Sequence, residues 1–221
     1  MSKVDERFPK PVHNLWSAID SEVIWLHGRW IIYRQLFGTS PERIAILNAS
    51  AGTFFNVLQQ TLLNDVQLSL SKLDDKAASG KHANMTLAAL VESLRTCGEG
   101  EIATRLEPFL NAFNLSCAKI RHRRNKWIAH FDRDTMLGTK VNTRQGPSRN
   151  EIELSLDALR TFMNCVRLHY LDSQTFYQDF IMDSDGDHLI TALQRSIRYK
   201  QLVKEGVIPQ NDLRSHFKAG V

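Results

Sequence analysis

Two long stretches of helical periodicity, joined by a tight turn, constrain the fold of this chain more than any other feature. Across residues 12–37 apolar side chains recur every three or four positions, as an amphipathic helix requires. Gly38 is a typical helix stop, and residues 40–42 combine an N-cap serine, a proline for the first turn and an acid. A second long helix is predicted over residues 41–72. Two such helices predict an antiparallel hairpin in an all-α protein.

The rest of the chain continues the helical pattern. Residues 74–84 are predicted to be a loop and residues 132–150 an exposed excursion, because both are polar and contain glycine. Further helices are predicted at 86–95, at 102–131 with a start or a bend at Pro108, at 155–180 capped by Ser155, and at 189–205 between Asp187 and Gly206. We expect a single helical domain over residues 1–221, with its core at about 11–180 and a C-terminal helical appendage at 181–221.

Composition and charge exclude several classes of protein. The 221 residues carry a formal charge of only +4, so a case for an anionic partner must rest on a local patch. The three cysteines are widely spaced and have no metal-ligand spacing. The most apolar stretch, residues 23–37, is too short and too charged to span a membrane, and the N-terminus lacks a signal-peptide pattern. We therefore expect a cytoplasmic protein without a membrane partner.

A basic run at residues 119–132 is the strongest chemical signal in the sequence. Five of the eight residues from Lys119 to Lys126 are Lys or Arg, and this density can hold phosphate groups. The candidate RNA-binding residues are Lys119, Arg121, Arg123 and Lys126. Such a run is also typical of a solvated helix face, and the two interpretations are about equally supported by the sequence.

Arg124, Asn125 and His130 within this run can support phosphodiester chemistry without a metal or other cofactor. Histidine exchanges protons near neutral pH, arginine stabilises charge on phosphoryl oxygens, and asparagine orients a phosphate or a 2′-hydroxyl. On an ideal α-helix Arg124 and His130 lie about 120° and about 9 Å apart, while Arg123, Trp127 and His130 share a stripe. One histidine performs half of acid–base catalysis, so a second copy across a dimer would complete the site.

These residues, together with three earlier segments, resemble the HEPN superfamily and more specifically its AbiU-type abortive-infection branch. The resembling segments, in family order, are residues 30–37, 51–55, 70–75 and 124–132. The resemblance implies a HEPN-like helical bundle that dimerises so that two Arg–His motifs line one cleft. It also implies a metal-independent ribonuclease of phage-defence or toxin–antitoxin systems, which leaves a 2′,3′-cyclic phosphate and has a cognate antitoxin as a possible partner.

The resemblance also assigns roles to individual residues. His130 would be the acid–base residue, Arg124 the phosphate stabiliser and Asn125 the orienting group, and the acidic Asp75 could pair with Arg124. Lys72 departs from the branch, where an arginine is expected, and lysine cannot reproduce the bidentate contacts of arginine. The resemblance ends at about Asn150.

Several structural or non-catalytic interpretations compete with these functional assignments. A non-catalytic HEPN module that binds RNA or mediates protein dimers is the main rival, and a metal-dependent nuclease lacks a carboxylate cluster. The aromatic residues Trp16, Trp25, Trp30 and Tyr33 have helical spacing, which favours core packing over base stacking. His27 and His122 are predicted to be surface or internally satisfied histidines. Residues 183–187 fit a turn and helix cap better than a calcium loop.

Overall fold

The computed structural model describes residues 8–128 and 146–209, with only the backbone at Trp127 and Ile128. The described residues are all-α, as predicted, and they form seven α-helices with one very short hairpin. The helices are α1 (Lys10–Phe37), α2 (Pro41–Leu73), α3 (Leu87–Thr96), α4 (Gly100–Ser116), α5 (Ala118–Arg123), α6 (Arg149–Leu171) and α7 (Gly186–Lys204). A π-helical turn (Arg124–Ile128) follows α5, and a 3₁₀ turn (Tyr177–Asp179) follows α6.

The two long predicted helices are confirmed, but α2 is interrupted. Ala51 has non-helical angles (φ −159°, ψ 65°), and nothing in the hydrophobic pattern signals this kink. Ser40 caps α2 as predicted, since its hydroxyl accepts from the Arg43 amide at 3.4 Å. Gly38 donates its N–H to the Arg34 carbonyl at 2.8 Å, and a Cβ there would lie 2.9 Å from that oxygen. Glycine is therefore favoured at this stop by close backbone approach.

The chain divides into two compact units. The first comprises residues 1–29 and 63–180, and the second comprises residues 30–62 and 181–221. The sequence-based expectation of one domain over residues 1–221, with a core at about 11–180 and an appendage at 181–221, stays a prediction.

The first unit has a core made by the apolar faces of its helices. Helix α4 packs against α3 and α6. Buried side chains recur every three or four residues, as one face of each helix requires. They include Val12, Trp16, Ile19, Val23 and Leu26 of α1, Leu87, Leu90 and Leu94 of α3, Ile102, Leu106 and Phe113 of α4, and Leu156, Leu159, Phe162, Met163 and Val166 of α6.

In the second unit the start of α7 is held by polar contacts. Asp185 caps the helix by accepting from the amides of Asp187 and His188. The side-chain Nε2 of Gln35 donates to Oδ2 of Asp185 at 2.6 Å, and the backbone N–H of Gly186 donates to Oε1 of Gln35 at 3.0 Å. Arg43 forms an ion pair with Asp187. Asp187, predicted to be the cap, is thus the second residue of the helix.

Other predicted boundaries also need correction. The predicted loop at 74–84 contains an antiparallel hairpin, Ala78–Ser79 with His82–Ala83, and Gly80 turns it at φ 61°. Helix α4 begins at Gly100 and continues through Pro108, so it does not start there. Helix α6 begins within the predicted excursion, because Ser148 and Glu151 form a reciprocal capping box. Ser155, the predicted cap, is buried inside α6 and donates to the Glu151 carbonyl at 3.0 Å.

The predicted aromatic core is confirmed at three of its four positions. Trp16, Trp30 and Tyr33 are each at most 4% exposed. Trp25 is 58% exposed and makes an edge-to-face contact with Phe180, so its assignment to the core was wrong. Among the described residues, no helix combines the length and the apolar character that crossing a membrane requires.

Candidate functional site

The basic run does not lie on one regular α-helix. Helix α4 ends at Ser116, Cys117 separates it from the six-residue α5, and residues Arg124–Ile128 then form a π-helical turn. A π-turn spreads residues around the axis differently from an α-helix, so ideal α-helical geometry does not hold over Arg124–Ile128. The predicted relations of Arg124, Arg123 and Trp127 to His130 lie outside the described residues. Single π-turns are frequent at functional sites, where they change the direction of side chains.

Arg124 is fixed by three oxygen atoms. Its Nη1 lies 2.6 Å from Oδ2 of Asp75 and 3.5 Å from the Ser71 carbonyl, and its Nε donates to Oδ1 of Asn125 at 3.0 Å. The Arg124 side chain is 17% exposed and that of Asp75 is 37% exposed. The Arg124–Asp75 pairing suggested by the sequence is therefore present. Within the described residues, these contacts leave Nη2 of the guanidinium as the group that can donate to a phosphate.

Most of the other cations in the run face acids or backbone. Lys119 pairs with Glu151 at 2.8 Å, and Arg121 pairs with the fully buried side chain of Asp74. Arg123 lies against Gly146, where a Cβ would overlap its guanidinium. Lys126 is half-buried. The positive charge expected from the sequence is therefore substantially compensated around Lys119 and Arg121, which weakens the case for these two as phosphate contacts.

Asp74 is the residue of this site that the sequence interpretation missed. Burial raises its pKa to about 6, against the opposing effect of the Arg121 guanidinium beside it. Burial also raises the pKa of the adjacent Cys117 thiol to about 12, so this thiol stays protonated. The consecutive acids Asp74 and Asp75 at the end of α2 thus hold the basic run through Arg121 and Arg124. The signal was available as a pair of acids directly after a long apolar helix.

A cavity of about 320 Å³ adjoins the Arg124–Asp75 pair. Asp75 belongs both to this ion pair and to the cavity wall. The other wall residues combine polar and apolar side chains, and they are Glu22, Ser69, Lys72, Leu73, Asn84, Met85 and Thr86. Asp75 therefore connects Arg124, which is not itself a wall residue, to a space large enough for a small polar ligand.

A second group of polar residues, His27, Arg160 and Asp157, is centred on a histidine that is buried and hydrogen-bonded within the protein. His27 is 2% exposed, its Nδ1 donates to the Val23 carbonyl at 2.8 Å, and its Nε2 accepts from Arg160 at 3.4 Å. Burial lowers the pKa of His27 to about 4. Asp157 in turn pairs with Arg160 at 2.9 Å. This arrangement confirms the prediction that His27 is an internally satisfied histidine.

With this geometry established, the comparison with known families is decisive. The HEPN_AbiU2 (AbiU2) family model matches residues 9–189 of the chain. The protein belongs to the AbiU2 family of HEPN domains. No curated protein and no solved structure matches the chain significantly. Membership of this family indicates a HEPN-type role related to abortive infection.

The AbiU2 match extends past Asn150, where the resemblance of the short segments ends. It includes α6 and the first residues of α7, beyond Asn150. The match also spans every candidate site residue, including Asp75, Arg124, Asn125 and His130. His130 and the residues of the 132–145 segment lie outside the described residues. Across the described residues, no group of three or more His, Cys, Asp or Glu side chains could hold a metal ion.

Proposed function

We propose that this AbiU2-family protein is a metal-independent ribonuclease that acts as a homodimer in phage defence or toxin–antitoxin control. The single observation that carries the proposal is the Arg124 site, in which a guanidinium is fixed by Asp75 and Asn125 on a π-helical turn beside an open cavity. Preorganised cations at developing negative charge are a major source of catalytic rate enhancement.

The proposed reaction uses the RNA itself as nucleophile. A 2′-hydroxyl attacks the adjacent phosphorus, the 5′-oxygen of the next nucleotide leaves, and the product is a 2′,3′-cyclic phosphate. His130 removes or donates the proton, and Arg124 stabilises the charge on the phosphoryl oxygens through Nη2. Asn125 acts by holding Nε of Arg124 at 3.0 Å, so its orienting role is exerted on the arginine.

The homodimer follows from the acid–base requirement. Cleavage needs one group that accepts a proton and one that donates it, and the Arg124–Asn125–His130 motif of each copy supplies one histidine. A second copy of the chain provides the other. We include a cognate antitoxin protein as a partner that would block this cleft.

Cleavage of RNA in the presence of EDTA tests the proposal. We expect the wild-type protein to cleave single-stranded RNA, and Arg124→Ala and His130→Ala to lose cleavage by about 10²-fold or more. His122→Ala is the matched control, since this exposed histidine lies on α5, next to the π-helical turn. Equal cleavage by the wild type and both site variants would refute the proposal.

The rival function is RNA binding or protein dimerisation without catalysis. One observation favours it: Lys119, Arg121 and Arg124 are all paired with acids, which is typical of residues that hold helices together. In that case RNA binding would weaken with salt and no cyclic phosphate would form. The EDTA experiment therefore separates the two functions.

A further inference from the structure

The cavity beside Arg124 contains groups that the proposed reaction does not use. Lys72 lines it and forms no ion pair within the described residues, in contrast to Lys119, Arg121 and Arg124. Its side chain is exposed. A flexible ammonium group of this kind binds phosphate as a point charge, without the fixed fork of arginine. The lysine at this position therefore keeps a cation in the cavity wall where the AbiU-type pattern has arginine.

Glu22 gives the cavity an oriented hydrogen-bond acceptor. Arg29 holds Oε1 of Glu22 at 2.6 Å and is itself anchored to Asp65 at 2.7 Å and to the Ser69 hydroxyl at 3.1 Å. This network fixes the carboxylate and leaves Oε2 without a hydrogen bond in the described part of the chain. A carboxylate fixed in this way accepts hydrogen bonds from amino groups.

Asn84 adds a second acceptor. Its side-chain Nδ2 donates to the Lys76 carbonyl at 2.9 Å and to the Ser79 hydroxyl at 3.1 Å. The side-chain Oδ1 is therefore the atom that Asn84 can offer to a ligand. Leu73 and Met85 supply apolar surface, with Met85 45% exposed. One cation, two acceptors and an apolar wall in about 320 Å³ match the phosphate, the amino edge and the face of one nucleotide.

We infer that this cavity binds the RNA nucleotide next to the cleaved phosphodiester. Lys72 contacts its phosphate, and Glu22 and Asn84 accept hydrogen bonds from its base. Acceptors favour a base that presents an exocyclic amine and disfavour uracil, which presents a carbonyl at the same place as the amine of cytosine. This inference rests on the proposed function, because it places the nucleotide relative to cleavage at Arg124.

Binding of 2′-O-methyl oligonucleotides tests the inference, since they lack the nucleophile for the proposed reaction and stay intact. Oligocytidine and oligouridine of equal length have the same charge, and fluorescence anisotropy gives both dissociation constants. We expect the wild type to prefer oligocytidine by about fivefold, which corresponds to one net hydrogen bond. Glu22→Gln should reduce this preference, because an amide is a weaker acceptor than a carboxylate.

Two further variants test separately whether binding requires the positive charge of Lys72 and whether it requires the open space of the cavity. Lys72→Ala should weaken the binding of both oligonucleotides by about fivefold, while Lys76→Ala, an exposed lysine outside the cavity wall, should weaken it by less than about twofold. Met85→Trp should block binding by filling the cavity without a change of charge. Because Met85 is exposed, this variant retains the core.

The outcomes distinguish the inference from the proposed function. If RNA is cleaved in EDTA but Lys72→Ala and Met85→Trp bind like Lys76→Ala, the nucleotide site lies elsewhere and only the inference fails. If the cavity variants bind weakly but no RNA is cleaved, the cavity is a nucleotide site of a non-catalytic protein and the proposed function fails. Absence of binding by the wild type, or binding of free cytidine monophosphate without binding of the oligonucleotides, overturns the inference.

Discussion

The Arg124 cluster (Arg124, Asn125 and Asp75) and the His27 cluster (His27, Arg160 and Asp157) are both built from arginine and acidic or polar partners, but their environments differ. In the His27 cluster the imidazole is 2% exposed, both of its nitrogens are bonded internally, and burial lowers its pKa to about 4. In the Arg124 cluster, Asp75 is 37% exposed and lines a cavity. Residue types alone therefore do not identify a reactive site, since donors left available to a ligand are also required.

The largest expected difference between the clusters is in catalysis. Arg124→Lys should lower the rate of RNA cleavage on the order of 10²-fold, because lysine cannot keep the contacts to Asp75 and Asn125 while also donating to phosphate. Arg160→Lys should leave the rate within about twofold. Initial rates with excess RNA in EDTA measure both. Equal losses in the two variants would show that the rate reports general stability and would remove the distinction.

The second difference is the pH dependence of stability that originates in the His27 cluster. The pKa of His27 is about 4 in the folded protein and 6.5 when unperturbed, so unfolding takes up a proton between these values. Its contribution to stability is present above pH 6.5 and is lost as the pH falls toward 4, by about 3 kcal/mol. Denaturant unfolding across this range measures it.

His27→Gln should remove this part of the pH dependence, although it also lowers stability at neutral pH. The exposed His122 offers a matched control, and His122→Gln should keep the wild-type slope. A wild-type slope in His27→Gln would mean that another group titrates.

A smaller effect of opposite sign is expected beside the Arg124 cluster. Burial raises the pKa of Asp74 to about 6 from 3.8, so its contribution to stability is present below pH 3.8 and is lost as the pH rises through 6. This contribution opposes that of His27 over nearly the same pH range, so Asp74→Asn should make stability rise more steeply with pH than it does in the wild type. The same unfolding titration measures the change, with Asp183→Asn as a control at an exposed acid outside both clusters. A shallower rise in Asp74→Asn would contradict the direction of this pKa shift.

The helices were predictable because their apolar periodicity determines which face is buried. Periodicity correctly predicts α1, α2 and α3. The pairing of Arg124 with Asp75 does not follow from periodicity, and it is predicted by the resemblance of two short segments to the AbiU-type branch.

The kink at Ala51 and the break at Cys117 were missed, because neither alanine nor cysteine is itself a helix breaker. The kink lies between Ser50 and Gly52, and the Ser50 hydroxyl donates to the Ile46 carbonyl at 2.8 Å, a contact that often bends helices.

Two further failures have a local cause. Ser148 and Glu151 carry a capping-box pattern, but the surrounding polar residues favoured a loop and the cap was placed at Ser155 instead. Glu151 and Asp74 neutralise the positive charges of Lys119 and Arg121, respectively. The paired residues lie 32 and 47 positions apart in the chain, and no spacing rule predicts such contacts. The basic run therefore looked more strongly positive in the sequence than it is in the fold.

Blocking the 2′-hydroxyl group of the RNA tests most directly whether this AbiU2-family protein uses that group as the nucleophile for cleavage. Wild-type protein is incubated in EDTA with an RNA and with its fully 2′-O-methylated counterpart, and the ends of the products are analysed. We expect that only the unmodified RNA is cut and that its products end in a 2′,3′-cyclic phosphate. Cleavage of both substrates at similar rates, or absence of cleavage of the unmodified RNA, would contradict it.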